Sequence, residues 1–541
     1  FIGLIIVSLL FYLYATNSFS IFRSNSALEI VDFSIESSPN KIDIPSNPYR
    51  NPYYGDLHVH TKYSFDAYIF GVTATPYDAY KFATGQAIKH PLGFDMKLRE
   101  PLDFYAVTDH GFYMGMIENY ADTSSKMSKN EWTIPMHNLN RPENVTVEST
   151  GQRADLFSSV VRQAIVIPHP WWHPNYIGAW LTNNIQLALK SFDYDVHKSA
   201  WADVANAAEE FNDPGKFTTF IGYEFTTSTD VEGGNLHRNV IFNSSNAPIR
   251  PWTRIDSINP EDLWTWMDNL RDKGVDSLAM PHNSNGSNGQ MFEVETFRGN
   301  PINEEYAEKR MRNEPVVEMT QVKGTSDTHP LLSPDDEWAD FEIMDKRVGS
   351  RPPTYSMPQG GYVRDAYLRG LTLDWEGRGN PYKFGLIGSS DTHTGAGAYD
   401  ENNYWSKVGV LDGTDMGRGS VPLSQDRIDQ LTQYSIDFNQ PVSTKQIEGK
   451  TYADVGFDQW SASGLAVAWA EENTRDSIFQ AFKRKETFAT TGTRMAVRFF
   501  AGFDMESIDL NSEDMVEDAY AKGVTMGADL FSQGNQTPQF L

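Results

Sequence analysis

Nine residues along this chain have the types and spacing of metal ligands. His58 and His60 sit two apart in GDLHVHTKYSFDA, so on a strand both imidazoles face one side and aim at one point. Asp66 follows six residues later, in the expected loop. TDHG brings Asp109 and His110, GYEFT brings Glu224, His237 precedes RNVIF, and His282 ends SLAMPH. SSDTHTG adds Asp391 and His393, again two apart. Six imidazoles and three carboxylates buried together would be costly unless paired or metallated. Imidazole and carboxylate donors suit Zn, Mn or Fe. The joint pattern therefore predicts a multinuclear metal site, with Asp109 either an acceptor orienting one of the imidazoles or simply a turn residue.

The elements that must position these residues are short apolar runs. YYGDLHVH, LDFYAVTDH, FTTFIGYEF, RNVIF, SLAMPH, VVEMTQ and KFGLIGSSD are rich in Val, Ile, Phe and Tyr and end in polar residues, as buried strands followed by loops do. Amphipathic stretches lie between some of them. Glu261 to Lys273 is one, with Pro260 and Glu261 suiting a helix start. Repeated strand-then-helix order predicts an α/β architecture with a largely parallel sheet or barrel, in which strand ends converge on one face.

Two long spans, about 119–213 and 285–380, interrupt that order and are expected to be excursions around the site. The first holds PHPWWHP, Pro168 to Pro174, whose His169 and His173 are expected to pack within the insertion or its pocket wall. All twelve histidines lie between His58 and His393. Of the others, His329 in SDTHP competes with His237 and His282 for a ligand position, and Asp230 and Glu232 are rivals to Glu224. His90, His137 and His197 are expected to be surface or structural residues. Residues 473–494 read as a capped helix, a strand and a TTGTR turn.

Composition narrows the function classes. In 541 residues, 45 basic against 72 acidic side chains give a formal charge of −27, which argues against a broad nucleic-acid footprint. There is no cysteine, which removes disulfides, thiolate zinc sites and cysteine nucleophiles. Residues 1–15, FIGLIIVSLLFYLYA, form an apolar run with no initiating Met or charged segment before it. It reads as the remainder of a signal peptide or membrane anchor spanning residues 1–22, followed by a linker at 23–50. The expected location is exported: periplasmic, membrane-anchored or secreted. The chain stops at TPQFL, on what reads as the start of a strand, so both ends are expected to be incomplete.

In this order, HxH with Asp66 downstream, TDH, a strand-end Glu, two isolated His and DxH resemble the PHP (polymerase and histidinol phosphatase) superfamily over roughly Asn51 to Gly413. NPYYGDLHVHTKYSFDAY, LDFYAVTDHG, NLHRNVIFN, QVKGTSDTHP, SSDTHTG and the late WAEENTR and TTGTR are similar to its exported branch of long uncharacterised proteins. The resemblance implies a distorted (β/α)7 barrel at 51–413, a C-terminal extension of it at 414–541, and two to three divalent metal ions. His58, His60, Glu224 and Asp391 would hold the first. Glu224 would bridge to the second, with His237 and His282, and Asp66, His110 and His393 would hold the third. Asp66 stands where some members have His, which favours a harder metal such as Mn or Fe there, or weaker occupancy.

Three divalent ions outweigh three carboxylates, so the pocket would be cationic despite the acidic chain. Clustered metals acidify bound water and clamp anionic oxygens, which suits a small anionic substrate, best a phosphoester. Arg238 and Lys323 are the candidates to hold its oxygens. The alternatives are hydrolysis of a non-phosphate ester or amide, or a metal-binding barrel without turnover.

Overall fold

The computed structural model describes residues 27–35, 44–164, 192–229, 233–341, 343–347, 354–438, 444–454, 457–532 and 534–541. The expected signal or anchor segment 1–22, His169, His173, Asp230 and Glu232 lie outside the described residues. No helix among the described residues is long and apolar enough to cross a membrane.

Ten strands build the frame of the site. β1 (Asn51–Asp56), β2 (Phe104–Tyr105) and β3 (Thr218–Thr219) run parallel to one another. β4 (Gly222–Phe225), β5 (Arg238–Phe242) and β6 (Ser277–Pro281) form an antiparallel sheet with β5 in its centre. β7 (Val316–Gln321) pairs in parallel with β8 (Gly385–Gly388). β9 (Leu465–Ala470) and β10 (Thr487–Thr490) extend the first sheet beyond β1, both pairings antiparallel. Isolated bridges tie the sheets where the strands end, Val59 to Thr392 and His110 to Glu224. No ladder joins β6 to β7 among the described residues, so the chain is a mixed α/β fold of several small sheets.

The expectation of a largely parallel arrangement fails at β5. It runs against both neighbours, so its first residues, not its last, meet the ends of β4 and β6. His237, just before β5, reaches the same face as Glu224 and His282 for that reason, and the His282 N–H donates to the His237 carbonyl across 3.3 Å.

Short-range chemistry sets these elements. β4, β5 and β6 are buried along their whole length, so they read as continuous apolar runs rather than alternating ones. Gly55 lets β1 lie against β2, because a Cβ there would sit 2.2 Å from the Phe104 ring. α1 (Phe65–Ile69) begins inside the segment expected as a loop and carries Asp66 in its first turn. α2 (Pro76–Ala83) opens with a reciprocal cap between Thr75 and Asp78. α3 (Tyr194–Phe211) buries Trp201 in the main core. α4 (Pro260–Arg271) starts at the expected point, with Asn259 capping the Glu261 N–H, and buries Leu263, Trp264, Trp266, Met267 and Leu270. α5 (Arg475–Arg484), capped by Thr474, buries Ile478, Phe479 and Phe482 against β9 and its neighbours.

The span 285–380 is not simply an excursion. It contains β7 and the helix Glu304–Asn313 ahead of it, both part of the frame. The last residues do form a strand: Gln539–Phe540 pairs with Phe500–Gly502.

Asp56, at the end of β1, fastens two site loops. Its fully buried carboxylate accepts the N–H groups of His58 and Ser390, each at 3.0 Å, and the Tyr399 hydroxyl at 2.5 Å. Asp56→Ala would strand both amides in the interior. Chemical denaturation should show a loss of about 2–5 kcal/mol, and Asp56→Asn, which keeps the shared oxygen, should lose clearly less. Equal losses in the two variants would contradict this role.

Candidate metal centre

The structure brings all nine sequence-derived ligands together. Glu224, 1% exposed, is the hub. Its Oε2 lies 3.4 Å from His58 Nε2, 3.3 Å from His60 Nε2 and 3.7 Å from His282 Nε2. Its Oε1 lies 3.1 Å from His110 Nδ1 and 2.6 Å from His237 Nδ1. Asp391 Oδ1 lies 3.4 Å from His58 Nε2 and 3.5 Å from His60 Nε2. Asp66 Oδ2 lies 2.9 Å from His393 Nε2 and 3.3 Å from His110 Nε2. Three groups have donor atoms mutually within 4.8 Å, close enough to hold one ion each: His58, His60 and Asp391; His58, Glu224 and His282; His60, His110 and His393.

Three of the six imidazoles, His58, His60 and His282, keep an unpartnered nitrogen at the centre, whereas His110 and His393 hydrogen-bond to Asp66. His58 Nδ1 donates to Glu318 Oε2 at 2.8 Å, which turns its Nε2 lone pair toward the centre. His60 is oriented through a relay. Ser64 donates to Asp109 at 2.7 Å, so the Ser64 oxygen accepts from His60 Nδ1 at 2.8 Å. Asp109 also accepts from the Thr61 N–H and hydroxyl, both at 2.6 Å. It thus orients an imidazole, one of its two expected roles, with one serine between. Ser64 is the N-cap residue of α1 yet makes no side-chain cap bond, its hydroxyl being spent on the centre. His58 Nε2, His60 Nε2 and both ring nitrogens of His282 are buried with no hydrogen-bond partner. Orphaned buried nitrogens facing carboxylates are what a divalent cation satisfies, so these residues fit a metal.

The electrostatics divide the imidazoles into two groups. Burial keeps His237 and His282 neutral, pushing each down to about 4. Burial takes His393 to about 3, against the pull of Asp66. Burial, then the neighbouring His393 and His110, hold His60 well below the imidazole range. Burial opposes ionisation of Glu224, but His110 and His237 hold it well below the usual carboxylate range. His393 and His110 do the same for Asp66. Against burial, Glu224 and Asp66 hold His110 up at about 10, and Glu318 and Glu224 raise His58, so an incoming ion would displace a proton from these two rings.

Backbone strain gathers here as well. Asp391 and Asn283 both adopt left-handed φ, 54° and 53°. Gln321 holds the pair, its amide donating to Asp391 Oδ2 at 2.9 Å and also to Asn283.

The two expected substrate contacts part company. Lys323 is in the centre, its Nζ against Asp391 Oδ2. Arg238 is not brought to it. One position after His237, it points to the other side of β5, where its Nε donates to Glu314 at 2.8 Å and its Nη1 to the Leu236 carbonyl. Glu314 also accepts from Trp264 and Arg310, so Arg238 belongs to a buried structural network.

The competing histidines are placed elsewhere. His329 accepts the Leu331 N–H at 3.1 Å and packs on Tyr362. His90 accepts the Leu92 N–H and stacks on Phe94. His137 donates to the Ser128 carbonyl and His197 to that of Gly111.

Sequence reasoning missed Glu318 and Lys407. Glu318 had a signal, an acid in the middle of the buried run VVEMTQ. Lys407 had none. It lies in a loop, and its Nζ sits 3.3 Å from Asp391 Oδ1 and 2.9 Å from His393 Nδ1. Glu318→Gln should keep the fold and weaken metal binding about 10–100-fold in a chelator competition, as loss of an orienting carboxylate does. Unchanged affinity would mean His58 needs no such partner.

No curated protein and no solved structure matches the chain. A family profile described as "Protein of unknown function (DUF3604)" matches residues 47–541, nearly the whole chain and every ligand of the centre, and the chain belongs to that family.

Proposed function

We propose that this chain is a metal-dependent hydrolase, a phosphoesterase built on a multinuclear centre of two to three Zn, Mn or Fe ions. The observation that carries the reading is the convergence of six imidazoles on three buried carboxylates, with ring nitrogens left unpartnered. His58, His60, Asp391 and Glu224 would hold one ion; Glu224, His237 and His282 a second; Asp66, His110 and His393 a third. When bound, such ions supply a clamp for anionic oxygens and acidify water.

The residues themselves do the rest. Within the nine, only the side chains of His237 and Asp66 are appreciably open, 17% and 16% exposed, so a substrate approaches on their side. The remaining seven are at most 6% exposed and keep bulk water away. Lys323, 8% exposed, stands ready for an anionic oxygen. On this reading β1, β2, β4 to β8 and their helices are a distorted (β/α)7 barrel of PHP type, whose ring is opened where β6 faces β7. The apolar run at 1–15 supports an exported location for such an enzyme.

A panel of phosphomonoester, phosphodiester and carboxyl ester, assayed with Zn, Mn and Fe, tests this. Phosphoester turnover should fall at least about 100-fold in His60→Ala and in Glu224→Gln. Turnover of the carboxyl ester alone, or of nothing by metal-loaded protein, would overturn it.

A further inference from the structure

Asp391 is shared by two lysines. Lys323 Nζ lies against its Oδ2, and Lys407 Nζ is 3.3 Å from its Oδ1. Both lysines are nearly inaccessible, 8% and 4% exposed. Among the described residues, no other carboxylate pairs with either ammonium. Asp412, the acid nearest Lys407 in sequence, spends its oxygens on the N–H groups of Lys407 and Val408 and on the hydroxyls of Ser406 and Tyr404. Glu318 is engaged by His58, and Asp66 by His110 and His393.

Two buried amines thus converge on one carboxylate. Burial, with Lys407 beside it, holds Lys323 well below the usual amine range, and burial takes Lys407 to about 8, so the pair does not carry two settled charges by itself. A buried ammonium is costly without a counter-ion, and an incoming dianion would supply one. The partners in contact are Asp391 and Lys407 for Lys323, and Asp391, His393 and Lys323 for Lys407. A protonated lysine has three N–H donors, so the pair keeps a donor for an incoming anion, on the Lys323 side.

The surroundings hold both amines in place. Lys323 follows β7, and its backbone N–H donates to Gln321 Oε1 at 2.7 Å. The Lys407 carbonyl accepts the His393 N–H at 2.7 Å, which fastens the lysine's loop to the DTH turn. The Trp460 ring covers Lys407 at 5.7 Å. The segment bearing Trp460 is bound beside Lys323, with the Ser461 N–H donating to the Val322 carbonyl at 3.1 Å. The C-terminal region thus packs beside both lysines.

We propose that Lys323 and Lys407 form the anion-binding side of the centre and select the doubly charged terminal phosphate of a phosphomonoester over a diester or a neutral ester. This rests on the phosphoesterase reading and narrows its substrate class. A monoester carries nearly two charges at neutral pH and three terminal oxygens, whereas a diester carries one charge and two such oxygens. Lysine binds phosphate as a point charge and suits a rotating terminal group.

Calorimetric titration of inorganic phosphate into the metal-loaded protein tests this without turnover. Lys323→Met and Lys407→Met should each weaken phosphate binding about 10- to 100-fold, as loss of one charged hydrogen bond does. Lys407→Arg should recover part of the loss. Metal content and unfolding midpoint, measured on the same samples, should stay at wild-type values. In parallel, the monoester-to-diester ratio of kcat/KM should fall in both Met variants, through KM of the monoester. Phosphate binding that is absent in the wild type, or unchanged in both variants, overturns the proposal. Loss of metal in the Met variants also overturns it, since the lysines would then serve to hold Asp391. Lysine-dependent phosphate binding without hydrolysis of any phosphoester would keep the anion site and reject the phosphoesterase reading instead.

Discussion

Glu224 is a buried carboxylate with five imidazole nitrogens within 3.7 Å. No distribution of protons satisfies that cluster. Protonating several rings at once sets like charges against each other at ring separations near 4 Å, as for His60 with His393 and His58 with His282. Leaving the rings neutral strands their nitrogens. A divalent cation resolves both problems, and much around the cluster follows from this constraint. Glu318, Ser64 and Asp109 fix ring tautomers, Gln321 holds Asp391 and Asn283 in strained conformations, and Asp56 locks the two richest ligand loops to each other.

The frame explains how ligands nearly 340 positions apart in sequence meet. Parallel strands deliver His58, His60, His110, Asp391 and His393 from their C-terminal ends. The antiparallel β5 delivers His237 from its beginning. Because β5 is buried on both faces, the residue after His237 turns away from the centre. Arg238 and His237 therefore serve different parts of the molecule, the first a buried ion network and the second the cluster.

Much of the centre was legible in the sequence because its signals are local. Two histidines two apart on a strand share a face whatever surrounds them, and acids ending apolar runs point where strand ends point. For Asp109 the sequence left an orienting role and a turn role open, and the serine between it and His60 was not legible. The strand direction of β5 was not legible, since RNVIF reads the same in either orientation. Arg238 was misplaced for a related reason: adjacency to a ligand in sequence means opposite sides on a strand. Lys407 depends on how the loop after His393 folds back, which no periodicity records. The span 285–380 read as an excursion because its polar segments outweigh β7, and Glu318 went unnoticed with it.

Metal content by elemental analysis, on protein purified without chelator or a polyhistidine tag, decides whether the cluster holds ions. Wild-type protein should carry about two to three equivalents of Zn, Mn or Fe per chain, falling sharply in the His58→Ala, Asp391→Ala double variant. Less than about half an equivalent in the wild type, even after reconstitution with metal, would contradict a multinuclear metal centre.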